Sequence, residues 1–293
     1  MNEANYRIDG VLMRAPKAAP GLHVVATPIG NLGDVTLRAL RTLAGADAVA
    51  AEDTRHTGRL LAHFAIDVPL LRYDEHGAAA QRPLILERLA AGEAIALVSD
   101  AGTPLVSDPG YRLVREAREA GHRVHAVPGP SAPVAALSVA GLPTDAFFFA
   151  GFLPQKSAAR RARIAELAAV PGTLVFFEAP HRLGPALADL AEVLGDRPAA
   201  VARELTKRFE TVDRATLSEL AERHSGGETK GEIVLLVAPP EKADALDEGE
   251  VDALLSRALL TMPASAAAAD VAKATGANRR ELYRRALALK GGG

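Results

Sequence analysis

"AIALVSDAGTPLVSDPGYRLVREAREAG", residues 94–121, decides the fold of this chain. Its first five residues are apolar, its middle is rich in Gly, Pro, Asp, Ser and Thr, and its last part has helical spacing closed by Gly121. This order predicts a buried strand, a polar loop and a helix. The same order recurs from residue 22 to about residue 142, so we expect a parallel sheet covered by helices.

The chain outside this region divides into four further segments. Residues 1–20 precede the first predicted strand and are interpreted as a flexible arm. Residues 143–240 mix strand and helix signals and predict a second α/β domain. Residues 241–250 are rich in charge and predict a linker. Residues 251–293 have no strand signal, and their rhythm of helix, turn and helix is typical of helix-turn-helix units.

Composition limits the class of protein. The chain has 293 residues, of which 48% are hydrophobic and 24% charged, as in globular proteins. The absence of cysteine excludes disulfides, thiolate metal sites and a cysteine nucleophile. The N-terminus lacks an apolar signal core and no apolar run reaches the length of a membrane span, so we expect a cytoplasmic protein that is not in a membrane.

Positive charge is concentrated in two stretches, although the formal net charge is −2. Residues 155–164 contain four basic residues and no acid, and residues 270–290 contain six Lys or Arg against two acids. One interpretation is a pair of solvated helix faces. The other is an RNA-binding footprint, because phosphates are bound by Lys and Arg. Its candidate residues are Lys156, Arg160, Arg161, Arg163, Arg279, Arg280, Arg284 and Arg285.

Polar loops follow five predicted strands, at residues 27–34, 52–57, 73–77, 99–110 and 128–133. Ligands of open parallel sheets bind outside the carboxyl ends of the strands, so these loops predict one cleft. The G-x-G-x-x-G fingerprint, the P-loop and the G-x-S-x-G elbow are absent, and the eight histidines are scattered. These absences argue against the usual dinucleotide, nucleoside triphosphate and serine hydrolase sites, and no metal is expected.

Several motifs together resemble the tetrapyrrole-methylase superfamily, and within it the ribosomal RNA small subunit methyltransferase I branch. The motifs are "VATPIGNLGD", "AEDTRHTGRLL", "LVSDAGTPLVSDPGYRLV", "VPGPSAPVAALSVAGLP", "FFFAGFLP", "FFEAPHRL" and "RELTKRFE". The resemblance covers roughly residues 21–240, and the last helices resemble the helix-turn-helix tail of the same branch. It implies two α/β domains with S-adenosylmethionine bound in the cleft between them, and a homodimer. It also implies 2′-O-methylation of a cytidine in 16S rRNA, near the decoding centre of the small ribosomal subunit.

The resemblance also implies which residues bind the cofactor. Gly102-Thr103-Pro104 stands where the superfamily has Gly-Asp-Pro. The other residues at matching positions are Pro28, Val106, Ser131, Ala132, Phe177 and the stretch 229–233, which begins at Thr229. Methyl transfer from a sulfonium requires alignment of donor and acceptor and removal of water, and small residues in turns let the cofactor approach the backbone.

A ribose hydroxyl has a pKa far above neutrality, so a general base or a cation that stabilises the alkoxide would help the reaction. Asp100 and Asp108 are favoured because they flank the proposed cofactor loop, although both carboxylates are equally suited to stabilising the turn itself. Lys207 would act as a base only if burial or neighbouring cations lowered its pKa. The remaining candidates are Glu52, Asp53, Glu178, His181 and Glu204.

Two other functions stay open. A tetrapyrrole methyltransferase of the same superfamily would need a broad apolar cleft and no basic tail. A non-catalytic protein that binds ribosomes or RNA would not bind S-adenosylmethionine. Aromatic residues that stack on bases are scarce in the chain, and Tyr73, Tyr111 and Phe209 are the candidates near the cleft.

Overall fold

The computed structural model describes residues 4–75, 77–226, 229–241, 248–275 and 277–291. The chain forms two compact units, Met1–Pro239 and Pro240–Gly293. The first unit contains both α/β sheets, so the boundary expected at residue 142 separates two sheets within one unit.

The first unit begins with an antiparallel hairpin, β1 (Asn5–Ile8) and β2 (Val11–Arg14). This corrects the expectation of a flexible arm for the described part of residues 1–20. Tyr6 is fully buried in the core of the first sheet, and Arg41 Nε donates a hydrogen bond to its hydroxyl at 3.2 Å. The hairpin is held because its one buried aromatic side chain packs on that core.

The first sheet is entirely parallel, with the strand order β5-β4-β6-β3-β7. Its strands are β3 (Gly21–Val25), β4 (Ala48–Ala51), β5 (Leu70–Arg72), β6 (Ala94–Val98) and β7 (Val124–Val127). The connecting helices are α1 (Leu37–Gly45), α2 (Thr54–His63), α3 (Ala78–Ala90), α4 (Tyr111–Glu119) and α5 (Ala132–Val139). Every residue of β4 and β6 is buried, as expected for central strands covered on both faces.

The second sheet is mixed, with the strand order β11-β10-β12-β9-β8, and only β8 and β9 run parallel. Its strands are β8 (Phe147–Phe152), β9 (Thr173–Glu178), β10 (Pro198–Arg203), β11 (Thr211–Thr216) and β12 (Ile233–Val237). Its helices are α6 (Ser157–Leu167), α7 (Leu183–Leu194) and α8 (Leu217–Arg223). A capping box between Thr216 and Glu219 starts α8, and each residue satisfies a backbone donor of the other.

The packing of α6 on α7 corrects one predicted RNA contact. Arg160 is only 4% exposed and forms a buried ion pair with Asp189, in which Nη2 lies 2.6 Å from Oδ2. Its Nη1 also donates to the carbonyl of Gln155 at 3.1 Å. A guanidinium with these partners is part of the helix packing and does not reach an RNA phosphate.

The second unit contains α9 (Glu248–Leu259), α10 (Ala264–Thr275) and α11 (Arg279–Gly291). Val251, Leu255, Ala268 and Leu282 are among the residues of its small apolar core. The predicted linker falls partly outside the described residues, and α9 begins before the predicted end of the linker at residue 250. No helix in the described part of the chain is both long enough and apolar enough to span a membrane.

Candidate active site

A cleft of about 470 Å³ lies between the loops of the first sheet and the edge of the second, a size typical of small-molecule sites. Loops after β3, β4 and β6 and the first turn of α5 supply one wall. The second sheet supplies the other wall, from the ends of β8 and β9, the turn after β10 and the start of β12. The lining residues are Ile29, Glu52, Asp100–Thr103, Val106–Asp108, Ser131–Pro133, Phe152, Phe177–Pro180, Leu205 and Gly231–Val234.

Hydrogen bonds join three loops at the floor of this cleft. Thr27 and Gly102 exchange backbone hydrogen bonds of 2.9 and 3.0 Å, and Thr103 Oγ1 donates to the carbonyl of Pro130 at 3.1 Å. Gly102 has φ +77°, and a Cβ there would lie 3.3 Å from Ile29 Cγ2. The loop therefore needs glycine both for its backbone conformation and for its close approach to the β3 loop.

The same loop holds strained backbone further along. Leu105 and Ser107 have φ of 75° and 66°, in the left-handed region that residues other than glycine rarely adopt. These conformations bring Val106 and Asp108 to the wall of the cleft. Strain of this kind persists where the surrounding structure fixes it, and it is concentrated at functional sites.

The cleft is acidic. Five carboxylates line it, and none of the described lining residues is Lys, Arg or His. The five are Glu52, Asp100, Asp108, Glu178 and Glu232. Among the described residues, no group of three or more such side chains is arranged to hold a metal ion. A site with this charge favours a cationic ligand.

Three of these carboxylates cluster on the wall of the first sheet. Burial raises the pKa of Asp108, the neighbouring charge of Asp100 raises it further, and a hydrogen bond with Ser99 opposes the rise. Burial also raises the pKa of Glu52, with Asp100 and Asp108 adding to the effect. Asp100 is anchored differently, because its Oδ1 accepts the N–H of Asp53 at 3.1 Å.

Glu178 faces the cleft from the second sheet and is already engaged by its neighbours. Its side chain is fully buried, Arg182 Nε lies 3.1 Å from Oε1, and the N–H of Ala179 donates to Oε1 at 2.7 Å. Burial raises the pKa of Glu178 in spite of the opposing Ala179 and Arg182 contacts. Glu178 therefore belongs to an ion pair that shapes this wall.

Lys207 is not suited to act as a base, because its pKa is raised and not lowered. Burial acts to lower its pKa, but hydrogen bonds and charge from Glu204 and Glu232 outweigh burial and the pKa is raised. Nζ lies 2.9 Å from Glu204 Oε1 and 3.1 Å from Glu232 Oε2. The ammonium is thus a clamp between two carboxylates, and it stays protonated near neutral pH.

The structure brings together most of the residues expected to bind the cofactor. Gly102, Thr103, Val106, Ser131, Ala132 and Phe177 all line the cleft. Pro28, Pro104 and Thr229 are outside the lining. Thr229 Oγ1 lies instead 3.5 Å from His224 Nδ1. Of the other candidate bases, Asp53, His181 and Glu204 are also outside it.

The stretch 229–233, which the resemblance assigns to the cofactor site, lies partly on the wall contributed by β12, where Gly231, Glu232 and Ile233 line the cleft together with Val234. Ile233 pairs with Glu178 and Val234 pairs with Phe177, so the start of β12 lies beside the end of β9. The stretch 231–234 lines the cleft because of this antiparallel pairing. The stretch "GEIVLLV" predicted a strand, but its neighbour was not readable from the sequence.

The other predicted RNA contacts are on the surface or in ion pairs. Lys156 is exposed, while Arg161 pairs with Glu192 and Arg163 Nη1 lies 2.7 Å from Glu166 Oε2.

In the second unit, Arg285 pairs with Asp252 at 2.5 Å, and Arg284 Nη2 lies 3.6 Å from Glu281 Oε1. Arg279, Arg280 and Arg284 are exposed. Arg279 and Arg280 line a shallow cleft of about 480 Å³, together with Ser265, Asn278 and Tyr283.

Two of the three candidate stacking aromatics are exposed. Tyr111 and Phe209 are each 65% exposed, but Tyr73 is 1% exposed and belongs to the core of the first sheet. Tyr73 therefore cannot stack on a nucleobase.

A parallel sheet joined to a mixed sheet across an acidic cleft defines a two-sheet α/β enzyme of the methylase type. The sequence profile described as "Tetrapyrrole (Corrin/Porphyrin) Methylases" matches residues 21–221, and that of the "RsmI C-terminal HTH domain" matches residues 245–290.

Solved structures agree on the fold. Uroporphyrin-III-C-methyltransferase from Thermus thermophilus superposes with a TM-score of 0.53 at 24% identity, covering 75% of this chain and 94% of that one. Diphthine synthase superposes with a TM-score of 0.58 at 17% identity, covering 74% and 89%.

Relatives at higher identity carry one name, ribosomal RNA small subunit methyltransferase I. The Mesorhizobium japonicum protein is 53% identical over 92% of this chain and 92% of its own length. The Pseudomonas aeruginosa protein is 48% identical over 94% of this chain and 99% of its own length. The Escherichia coli O157:H7 protein is 46% identical over 92% of this chain and 96% of its own length. The chain therefore belongs to the tetrapyrrole methylase family, in the group formed by these ribosomal RNA small subunit methyltransferase I relatives.

Proposed function

We propose that this protein is an S-adenosylmethionine-dependent methyltransferase that acts on the RNA of the small ribosomal subunit. The observation that carries the proposal is the acidic cleft floored by the 99–110 loop, in a chain about half identical to relatives with that name. A structural neighbour in the same fold, uroporphyrin-III C-methyltransferase from Thermus thermophilus, was solved with S-adenosylhomocysteine bound.

The cleft fits this cofactor in charge and shape. S-adenosylmethionine carries a sulfonium and an ammonium group, and the clustered carboxylates of Glu52, Asp100 and Asp108 favour that positive charge. The first turn of α5 would face the carboxylate of the cofactor, because the side chain of Ser131 makes no capping hydrogen bond there. Phe177, Ile233 and Val234 would pack on the adenine. When bound, the cofactor supplies a methyl group already activated for displacement.

The finer proposal is transfer to the 2′-hydroxyl of a cytidine in 16S rRNA, near the decoding centre. It rests on the motif resemblance, and an acidic residue in the cleft supports it as a candidate proton acceptor. We assign that role to Asp108, because it lines the cleft and because burial, with the charge of Asp100, raises its pKa. As the O–CH₃ bond forms and the S–CH₃ bond breaks, the hydroxyl proton passes to the Asp108 carboxylate.

The other carboxylates have supporting roles in this proposal. Asp100 positions the segment that carries Glu52, because it holds the amide of the next residue, Asp53. The charge of Asp100 also adds to the rise in the pKa of Asp108, and Asp100 and Asp108 together raise the pKa of Glu52, which burial already raises. Glu178 and Lys207 shape the opposite wall through their ion pairs.

A homodimer is part of the proposal. Exposed apolar side chains occur on the edge strand β8, at Phe147, Phe148 and Phe152, and on α5, at Val134 and Val139. Exposed apolar patches of this kind mark protein interfaces. Sedimentation velocity of Phe147→Glu, compared with the wild type, tests this interface. A ribosomal substrate also implies that the protein acts in the cytoplasm.

The discriminating experiment uses methyl-labelled S-adenosylmethionine. The protein is incubated with 30S subunits, with naked 16S rRNA or with a porphyrinogen, and the label is then located by nuclease digestion and mass spectrometry. We expect label on the ribose of one cytidine in 16S rRNA. Label on the porphyrinogen would favour a tetrapyrrole methyltransferase, and cofactor binding without transfer to any RNA would overturn the proposed reaction. Absence of cofactor binding would favour a non-catalytic RNA-binding protein.

A further inference from the structure

The turn between β10 and β11 combines strained backbone with exposed aromatic surface. Glu204 and Thr206 have φ of 53° and 66°, in the left-handed region. Neither residue is glycine, so each conformation needs support from its surroundings. The turn therefore presents its side chains in a fixed direction.

Several hydrogen bonds give that support. The N–H of Thr206 donates to Glu210 Oε2 at 2.5 Å, and the N–H of Lys207 donates to the Glu204 carbonyl at 3.0 Å. Lys207 Nζ donates to Glu204 Oε1 at 2.9 Å. The methylenes of Lys207 pack on the β3 loop, where a Cβ on Gly30 would lie 2.5 Å from Lys207 Cε. The turn is thereby fixed against the wall of the cleft that comes from the first sheet.

The turn faces both the cleft and the solvent. Leu205 is buried and lines the cleft. Four residues later, Phe209 is 65% exposed, and the guanidinium carbon of Arg208 lies over its ring, 5.5 Å from the centroid. Arg208 is exposed, and no carboxylate of the described residues forms an ion pair with it. An aromatic ring with an adjacent free cation is the composition of a nucleotide-binding surface.

The charge of the cleft explains why such a surface is needed. The carboxylates of Glu52, Asp100 and Asp108, which have no basic residue among the described lining residues, favour a cationic cofactor and repel a phosphate backbone. A ribose must nevertheless reach the cleft while its phosphates stay outside. Contacts beyond the cleft must therefore hold the polyanion, and the turn that carries Leu205 into the cleft also carries Arg208 and Phe209.

We propose that Arg208 and Phe209 form a docking platform for one nucleotide of the RNA substrate. A base stacks on the Phe209 ring, and the Arg208 guanidinium contacts an adjacent phosphate. The proposal rests on the proposed function only in taking RNA as the ligand, and it adds a binding surface outside the cofactor cleft. If a second copy of this chain covers this surface instead of RNA, the sedimentation measurement in the test will show it.

The test compares Phe209→Ala, Phe209→Tyr and Arg208→Ala with the wild type. RNA affinity is measured by fluorescence anisotropy with a labelled 16S rRNA fragment, and methylation of 30S subunits gives KM and kcat. We expect Phe209→Ala to weaken RNA binding and raise KM about tenfold, because one stacked base is lost, with kcat little changed. Phe209→Tyr keeps the stacking surface and should bind like the wild type. Arg208→Ala should weaken binding and reduce its salt dependence.

The matched control is Leu84→Ala, which removes an exposed apolar side chain from α3 and should change nothing. Cofactor affinity measured by calorimetry should be the same in all variants. Unchanged RNA affinity in Phe209→Ala, or a change in sedimentation coefficient that reveals a lost dimer, would overturn the platform. If the wild type binds RNA without methylating it, the proposed reaction fails while the anisotropy comparison still decides the platform. If the wild type binds no RNA, both proposals are wrong.

Discussion

The cleft and the start of α11 carry opposite charge. Five carboxylates line the cleft, whereas Arg279, Arg280 and Arg284 are exposed along the first two turns of α11. The formal net charge of −2 conceals this separation. This separation of charge predicts that a cationic cofactor and a polyanionic substrate bind to separate surfaces of opposite sign. Each surface can therefore be altered without changing the other ligand's affinity.

The largest effect is expected from Asp108→Asn, which removes the proposed proton acceptor and keeps the shape of the side chain. We expect kcat to fall on the order of a hundredfold or more, because a general base contributes that much. The wild-type rate should fall as the pH drops through the pKa of Asp108, which burial raises above its usual range. Single-turnover methylation of 30S subunits across pH 5 to 9 measures both effects.

The matched control for this substitution is Asp53→Asn. Asp53 caps α2 outside the cleft, and asparagine caps a helix equally well. This variant should keep the wild-type rate and the same fall in rate at low pH as the wild type. An Asp108→Asn enzyme with an unchanged rate would rule out Asp108 as the base and leave Glu52 as the next carboxylate to test.

The second effect concerns the opposite surface. Arg280→Glu combined with Arg284→Glu should weaken binding of 16S rRNA on the order of thirtyfold at low salt, because phosphate contacts dominate affinity for RNA. The salt dependence of binding should become shallower, and cofactor affinity should stay the same. Filter binding at several salt concentrations and calorimetry with the cofactor measure the two quantities.

A charge-matched pair on the other helices of this unit separates position from net charge. Arg257→Glu with Lys273→Glu makes the same change in charge on α9 and α10, where both side chains are exposed. We expect a smaller loss of RNA affinity from this pair. Equal losses from the two double variants would mean that only net charge matters, and parallel loss of cofactor affinity would mean that α11 is structural.

The loops of the first sheet were predictable from the sequence because each is local. The 94–121 stretch contains its own strand, loop and helix. A glycine at position 102 indicates a backbone conformation that other residues rarely adopt. The N-terminal hairpin was not predictable, because β2 is fully exposed and the burial of Tyr6 depends on contacts with a distant part of the chain. Val11, Leu12 and Met13 of β2 form an exposed apolar run that does not alternate with polar residues, so this short strand gives no periodic signal.

The strand pairing behind the second wall of the cleft and the ion pair of Arg160 were not predictable from the sequence, for a related reason. Ile233 joins the site through its pairing with Glu178, more than fifty residues away in the sequence. Arg160 stands in a run of basic residues, and only the packing of α6 on α7 brings Asp189 to it. Charge patterns in a sequence indicate composition and leave the partner of each charge undetermined.

The third effect tests the backbone of the cleft floor with Gly102→Ala and Gly121→Ala. Both glycines have positive φ, at 77° and 81°, so each substitution should lower the free energy of unfolding by about 1 kcal/mol. A Cβ at Gly102 meets Ile29 Cγ2 at 3.3 Å, whereas a Cβ at Gly121 meets nothing within 4 Å. Only Gly102→Ala should therefore weaken cofactor binding, by about fivefold in calorimetry. Equal cofactor affinity in the two variants would show that the cofactor site tolerates the displacement of Ile29 by the added Cβ.

The smallest effect is on stability and comes from the acidic cleft itself. Because the folded state raises the pKa of Asp108, it binds that proton more tightly than the unfolded chain does. The contribution of Asp108 to stability is therefore fully present below its unfolded pKa of about 4 and is lost as the pH rises through the folded pKa. Asp108→Asn removes this loss, so the variant should melt at a higher temperature than the wild type at pH 7. The difference should shrink towards pH 3 in scanning calorimetry without cofactor. A variant that is less stable than the wild type at pH 7 would mean that the charge on Asp108 stabilises the folded protein. The prediction that this charge lowers stability would then be wrong.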